Sequence, residues 1–180
     1  MTLIVGHSWV RRLAEFYFDE CEGFEFIGKG GATFSSIISE VERHFSNPRR
    51  PRPQRVFVFL GSNDLDAIPS TARVTEVTRD CQALCSVLRR LCPGAKLIFS
   101  QVEDRFYRNH CEDEEALRQD FKAKSNKFNK WINKWKGKDH LFILKGRVGF
   151  SDPKLFSRDG VHLNFVGNKK LAQRIADFAM

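Results

Sequence analysis

The chain has 180 residues, 42% of them apolar, which suits one compact domain and leaves no surplus for a second core. Its 30 Lys and Arg against 22 Asp and Glu give a net charge of +8, so nucleic acid stays among the candidate partners. No run approaches the roughly 20 uninterrupted apolar residues of a membrane-spanning helix, and the start shows no basic leader with an apolar h-region, so a protein without a membrane span is expected.

The first expected strand, residues 2–5, is a continuous apolar run ending at Gly6-His7-Ser8-Trp9. Its position directly after Met1 leaves open that the domain is cut from a longer polypeptide. The second, residues 25–27, leads into Gly28-Lys29-Gly30-Gly31-Ala32-Thr33. Residues 46–55 hold three prolines and four arginines and are too short to separate domains. A third strand at 56–60 runs into Gly61-Ser62-Asn63-Asp64, where Asn63-Asp64 would cap a following helix. Val74, Val77, Cys81, Leu84, Leu88 and Leu91 then recur at helical spacing until Pro93 and Gly94. After a fourth strand at 97–100, Leu117, Phe121, Phe128, Trp131, Ile132 and Trp135 mark a second long helix, with acid at 113–115 where its dipole favours it. A fifth strand at 140–144 and a last helix at about 166–178 complete the order. Strands alternating with helices imply βαβ units and a parallel sheet, and continuous apolar runs imply cover on both faces.

Ligands of such sheets bind beyond the carboxyl ends of the strands. The segments found there supply the parts of an acyl-transfer site. Ser8 on a strand-to-helix turn can present a hydroxyl at a helix N-terminus. His162 can act as its general base, and Asp159, three residues earlier, can hold the imidazole in the needed tautomer. Ser8 N–H, Gly31 N–H and the Asn63 side-chain amide are candidate oxyanion donors. Each also has a plainer role: Ser8 could cap the helix starting at Trp9, Asp159 could make a turn with Gly160, and His162 could be a loop histidine. Gly30 and Gly31 lack both the P-loop spacing and the dinucleotide fingerprint, and no G-x-S-x-G elbow is present.

These blocks, G-H-S, G-G-A-T, G-S-N-D and D-G-V-H, resemble those of the SGNH (GDSL-type) hydrolases, in this order from Gly6 to Gly167. The resemblance implies an α/β fold, a flavodoxin-like three-layer α/β/α sandwich with sheet order 2-1-3-4-5. It also implies no metal or cofactor, cleavage of acetyl or other acyl esters, and Ser8, Gly31, Asn63 and His162 in the family's named roles. The family's first block usually reads G-D-S, and here His7 replaces the aspartate. The segments V-G-H-S-W-V-R-R-L, G-S-N-D-L and D-G-V-H-L-N further resemble a eukaryotic branch found in retrotransposon open reading frames.

A second hypothesis is a non-catalytic scaffold of this type that binds nucleic acid or a protein partner. Arg49, Arg50, Arg52 and Arg55 lie close together, and Lys122, Lys124, Lys127, Lys130, Lys134, Lys136 and Lys138 are interleaved with Phe128, Trp131 and Trp135. Such a pattern binds single strands by neutralising phosphates and stacking bases, while a solvated helix face with its aromatics in the core is the commoner explanation. The five cysteines (Cys21, Cys81, Cys85, Cys92, Cys111) are an odd set without CxxC spacing, which favours core thiols in a reducing compartment, cytoplasm or nucleus, over disulfides or zinc.

Overall fold

A computed structural model describes residues 1–17, 23–67, 74–106, 113–135, 142–144, 150 and 152–179. Its centre is a parallel sheet of β1 (Thr2–Gly6), β2 (Phe24–Gly28), β3 (Arg55–Phe59), β4 (Lys96–Ser100) and β5 (Phe142–Leu144), in the order β2-β1-β3-β4-β5. The register sets Gly6 beside both Gly28 and Phe59, so the carboxyl ends of β2, β1 and β3 finish level. The expected strands are all present, and β2 is longer than the sequence suggested. Residues 140–141 of the fifth expected strand lie outside the described residues.

Successive side chains of a strand point to opposite faces, and the core divides accordingly. Leu3, Val5, Val56, Val58, Leu97 and Phe99 face one layer, built from α2 (Ile38–His44), α3 (Ser62–Ala67), α4 (Thr75–Leu91) and α5 (Glu114–Trp135). Ile4, Phe57, Phe59, Ile98 and Leu144 face the other, built from α1 (Ser8–Tyr17) and α6 (Phe165–Ala179). Both faces of the central strands are therefore dry, as their unbroken apolar runs require.

The α4 stripe buries Val77, Cys81, Leu84, Cys85 and Leu88, and the helix ends where Gly94 takes a φ of 80°. Cys81, Cys85 and Cys92 are buried, and none is in a disulfide. Burial raises the Cys81 thiol and lifts Cys92 to about 11, so they pack as small apolar groups. Cys21 and Cys111 lie outside the described residues. No helix among the described residues is long and apolar enough to cross a membrane. The proline- and arginine-bearing stretch at 46–55 is bound into the sheet's amino end, where Gln54 N–H donates to Met1 O and Lys96 N–H to Gln54 O.

Candidate active site

The turn after β1 is tight because Gly6 has no side chain: a Cβ there would lie 2.5 Å from Phe59 O and 2.6 Å from a Val10 methyl. His7 N–H donates to Phe59 O at 3.2 Å, and the His7 carbonyl accepts the first helical bonds from Val10 and Arg11. Its Nδ1 accepts from Trp9 N–H at 3.3 Å. The helix is thus capped by His7, and Ser8, the residue the sequence offered as a cap, is the first residue of α1. His7 is buried, and burial, then the Arg105 guanidinium, then His162, lower its pKa to about 3, which keeps the imidazole neutral with Nδ1 free to accept. Among the described residues, neither the Ser8 hydroxyl nor its N–H makes a hydrogen bond, and none joins Ser8 to His162.

Asp159 and His162 are brought together. Asp159 Oδ1 accepts the backbone N–H groups of Val161 and His162, each at 2.9 Å, and Oδ2 lies 2.6 Å from His162 Nδ1. Burial pulls the Asp159 pKa upward, yet the two backbone donors and the imidazole outweigh it and hold the carboxyl at about 2, an anion at any working pH. Gly160 sits between them with a φ of 68°, and a Cβ there would lie 2.9 Å from the Phe106 backbone. The loop is anchored on both sides. Asn164 caps α6, its Oδ1 accepting from Gly167 N–H, and donates to Lys154 O and Phe156 O. Trp9 Nε1 reaches back 3.0 Å to Val161 O, tying the histidine loop to the first turn of α1.

The third part of the site joins α3 to the loop after β2. Asn63 Nδ2 donates to Ala32 O at 2.9 Å, and its Oδ1 accepts from Arg105 Nη2 at 2.7 Å. Gly31, at a φ of 70° that few other residues adopt, is exposed, and its N–H makes no hydrogen bond among the described residues. Asp64 stands in the first turn of α3. It crosses to accept Phe34 N–H at 2.9 Å, and its burial raises the carboxyl pKa to about 6. A cleft beside the turn after β1 is lined by Ser8, Trp9, Leu60, Ser62, Arg105 and Val161. Arg105 was missed in the sequence. It follows β4 at the carboxyl edge, the one signal that singles it out.

Among the described residues, no group of three or more His, Cys, Asp or Glu converges as metal ligands would. On α5, Phe128 and Trp135 are buried and Trp131 half-buried against Trp135, while Lys122, Lys127, Lys130 and Lys134 are exposed. Lys124 is buried and pairs with Asp120 at 2.8 Å. Lys136 and Lys138 lie outside the described residues.

The sheet order and the helices on both faces place the chain in the flavodoxin-like class of three-layer α/β/α folds. Residues 4–170 match the GDSL-like lipase/acylhydrolase family, and the chain belongs to it. Two solved structures of hydrolases share the fold. A GDSL-like lipase from Bacteroides thetaiotaomicron superposes with a TM-score of 0.74 at 13% identity, over 98% of this chain and 86% of that one. An acetyl xylan esterase, AlAXEase, does so with a TM-score of 0.66 at 19% identity over 100% of both. The esterase domain of the ZfL2-1 ORF1 protein from a zebrafish retrotransposon shares 22% identity over 99% of this chain and 98% of that one, with a TM-score of 0.47. No curated protein matches the sequence.

Proposed function

We propose that the chain is a cofactor-independent serine esterase or deacylase acting on short acyl esters, with Ser8, His162 and Asp159 as its triad. The observation that carries this reading is the 2.6 Å contact between Asp159 and His162 Nδ1, with the carboxyl held at about 2. A carboxylate so placed keeps the proton on Nδ1 and leaves Nε2 free to accept one. Ser8 Oγ attacks the acyl carbonyl as its proton passes to His162 Nε2. The carbonyl oxygen becomes an oxyanion, for which Ser8 N–H, Gly31 N–H and the second N–H of Asn63 are the proposed donors. The C–O bond to the alcohol breaks, His162 protonates the leaving oxygen, and the acyl group stays on Ser8. Water then attacks the acyl-Ser8 carbonyl while His162 takes its proton, the Ser8 oxygen leaves and recovers that proton, and the carboxylic acid departs. His7 serves the turn from outside the reaction, through its cap on α1.

The acetyl xylan esterase of similar fold makes acetyl esters the first substrates to try. Ser8→Ala should lower the hydrolysis of a nitrophenyl acetate by at least about 10³-fold, and a fluorophosphonate should label Ser8 in the unaltered protein. Equal rates for the two proteins would defeat the reading. A second reading, binding of single-stranded nucleic acid, is favoured by α5: from Lys122 to Trp135 it carries no carboxylate, and four lysines of that stretch are exposed.

A further inference from the structure

A side-chain amide offers one acceptor and two donor hydrogens, and which of them face the reaction depends on what holds the rest. At Asn63 one hydrogen is taken by Ala32 O at 2.9 Å and the oxygen by Arg105 Nη2 at 2.7 Å, which among the described residues leaves a single N–H uncommitted. Turning the amide over would set its NH₂ against a guanidinium and its oxygen against the Ala32 carbonyl, two repulsive pairs in place of two bonds. Arg105 is itself fixed. It is 8% exposed, its other terminal nitrogen bonds Asp66 Oδ2 at 2.6 Å, and its carbon stands 5.2 Å from the centre of the Phe121 ring. A planar guanidinium can hold two acceptors at once in this way, where an ammonium acts as a single point.

We infer that Arg105 is a positioning residue for acyl transfer, orienting and polarising the Asn63 amide so that its remaining N–H is aimed at the oxyanion. A cation bonded to the amide oxygen draws electron density from the nitrogen and strengthens that N–H as a donor, most of all when negative charge develops beside it. Arg105 thereby acts on the transition state through Asn63 while touching no reacting atom. The inference rests on the esterase reading above.

Its test uses the full chain with a nitrophenyl acetate, comparing Arg105→Met and Arg105→Lys, each alone and combined with Asn63→Ala, with thermal melting to check folding. Losing an aimed oxyanion donor costs about 10²- to 10³-fold in kcat, so loosening one should lower kcat by about 10- to 100-fold in Arg105→Met with KM within about threefold. Arg105→Lys should fall between that variant and the unaltered protein. Combined with Asn63→Ala, the Arg105 substitutions should cost less than about threefold more, because the group they act through is gone. An unchanged kcat in Arg105→Met, or a full loss repeated on top of Asn63→Ala, overturns the inference. Should Arg105→Met fail to fold, the same comparison with Arg105→Lys decides it. Fluorophosphonate labelling of the unaltered protein separates the two levels: no label on Ser8 brings down the esterase reading and this inference with it, whereas labelled Ser8 with an indifferent Arg105 brings down this inference alone.

Discussion

Asp159→Asn isolates the part of the site that depends on charge and tautomer. The amide oxygen can take the place of Oδ1 and keep both backbone bonds, from Val161 and His162, so the loop loses little of its shape. The amide nitrogen then replaces Oδ2, 2.6 Å from His162 Nδ1. Two donors cannot share that contact, so the imidazole moves its proton to Nε2 and presents Nδ1 as the acceptor. Nε2 then has no lone pair for the Ser8 proton. The same exchange in a Ser-His-Asp triad lowers kcat by about 10⁴-fold, equivalent to about 5 kcal/mol of transition-state stabilisation. Loss of the charge-assisted bond should cost folding stability only about 1–2 kcal/mol, because the side chain is about a third exposed and partly screened. Ester hydrolysis and thermal melting on the same preparations separate the two effects. A variant that keeps a tenth of the activity, or one that loses activity only in proportion to unfolding, would refute the tautomer argument.

The remaining predictions concern pH and charge. The Asp64 carboxyl lies at about 6 in the fold against an ordinary 3.8, so between those values the folded chain binds the extra proton and stability falls as pH rises. Asp64→Asn, which can still accept Phe34 N–H, should remove that slope, worth about 3 kcal/mol at most, from urea melts across pH 4–6.5. His7 works in the opposite sense: held at about 3 in the fold against 6.5, it leaves the unfolded chain binding the extra proton, so stability falls as pH drops through that window. His7→Asn, which keeps a capping acceptor, should spare about 2–3 kcal/mol at pH 4.5 relative to pH 7, and an unchanged acid sensitivity would show that His7 is not held neutral. For the nucleic-acid reading, four phosphates met by Lys122, Lys127, Lys130 and Lys134 give a log–log salt slope of about −3 for a single strand, flattened by Lys127→Glu with Lys130→Glu; a slope near zero would exclude that surface.

The sheet was legible because most of its strands are continuous apolar runs, as strands covered on both faces must be. The long helices were legible from their stripes. The short helix at Ile38–His44 was not, since only Val41 within it is buried and its companions Phe34, Ile37 and Phe45 fall outside the helix. The Asp159–His162 pairing was readable from a three-residue spacing because it closes locally. What escaped was held by long-range bonds. Asp64 looked like a helix cap from its neighbours, with no sign that its Oδ1 accepts from a residue 30 positions away, and Arg105 meets Asn63 across 42 residues. His7, seen as a departure from the family's aspartate, caps a helix with a ring nitrogen, a use that its residue type does not announce.

The candidate groups come from separate crossovers, so their alignment needs links between segments that the sheet alone does not supply. Those links close into a ring. Lys29 N–H bonds Gly6 O and joins the second loop to the turn after β1, and Asn63 Nδ2 bonds Ala32 O and joins α3 to that loop. Arg105 bonds Asn63, Phe106 N–H bonds Gly160 O, and Trp9 Nε1 bonds Val161 O, which returns to the turn after β1. Each link alone is worth about 1 kcal/mol, too little to set geometry by itself. Around a closed path, however, one segment cannot shift without straining every other bond, and the groups they carry are held against rotation as a set. This also explains how the turn tolerates His7. The position of Ser8 is set by Gly6, by the links on either side and by the cap on Trp9 N–H, and a neutral imidazole supplies that cap while adding no carboxylate to the cleft where the proposed acyl transfer would develop negative charge.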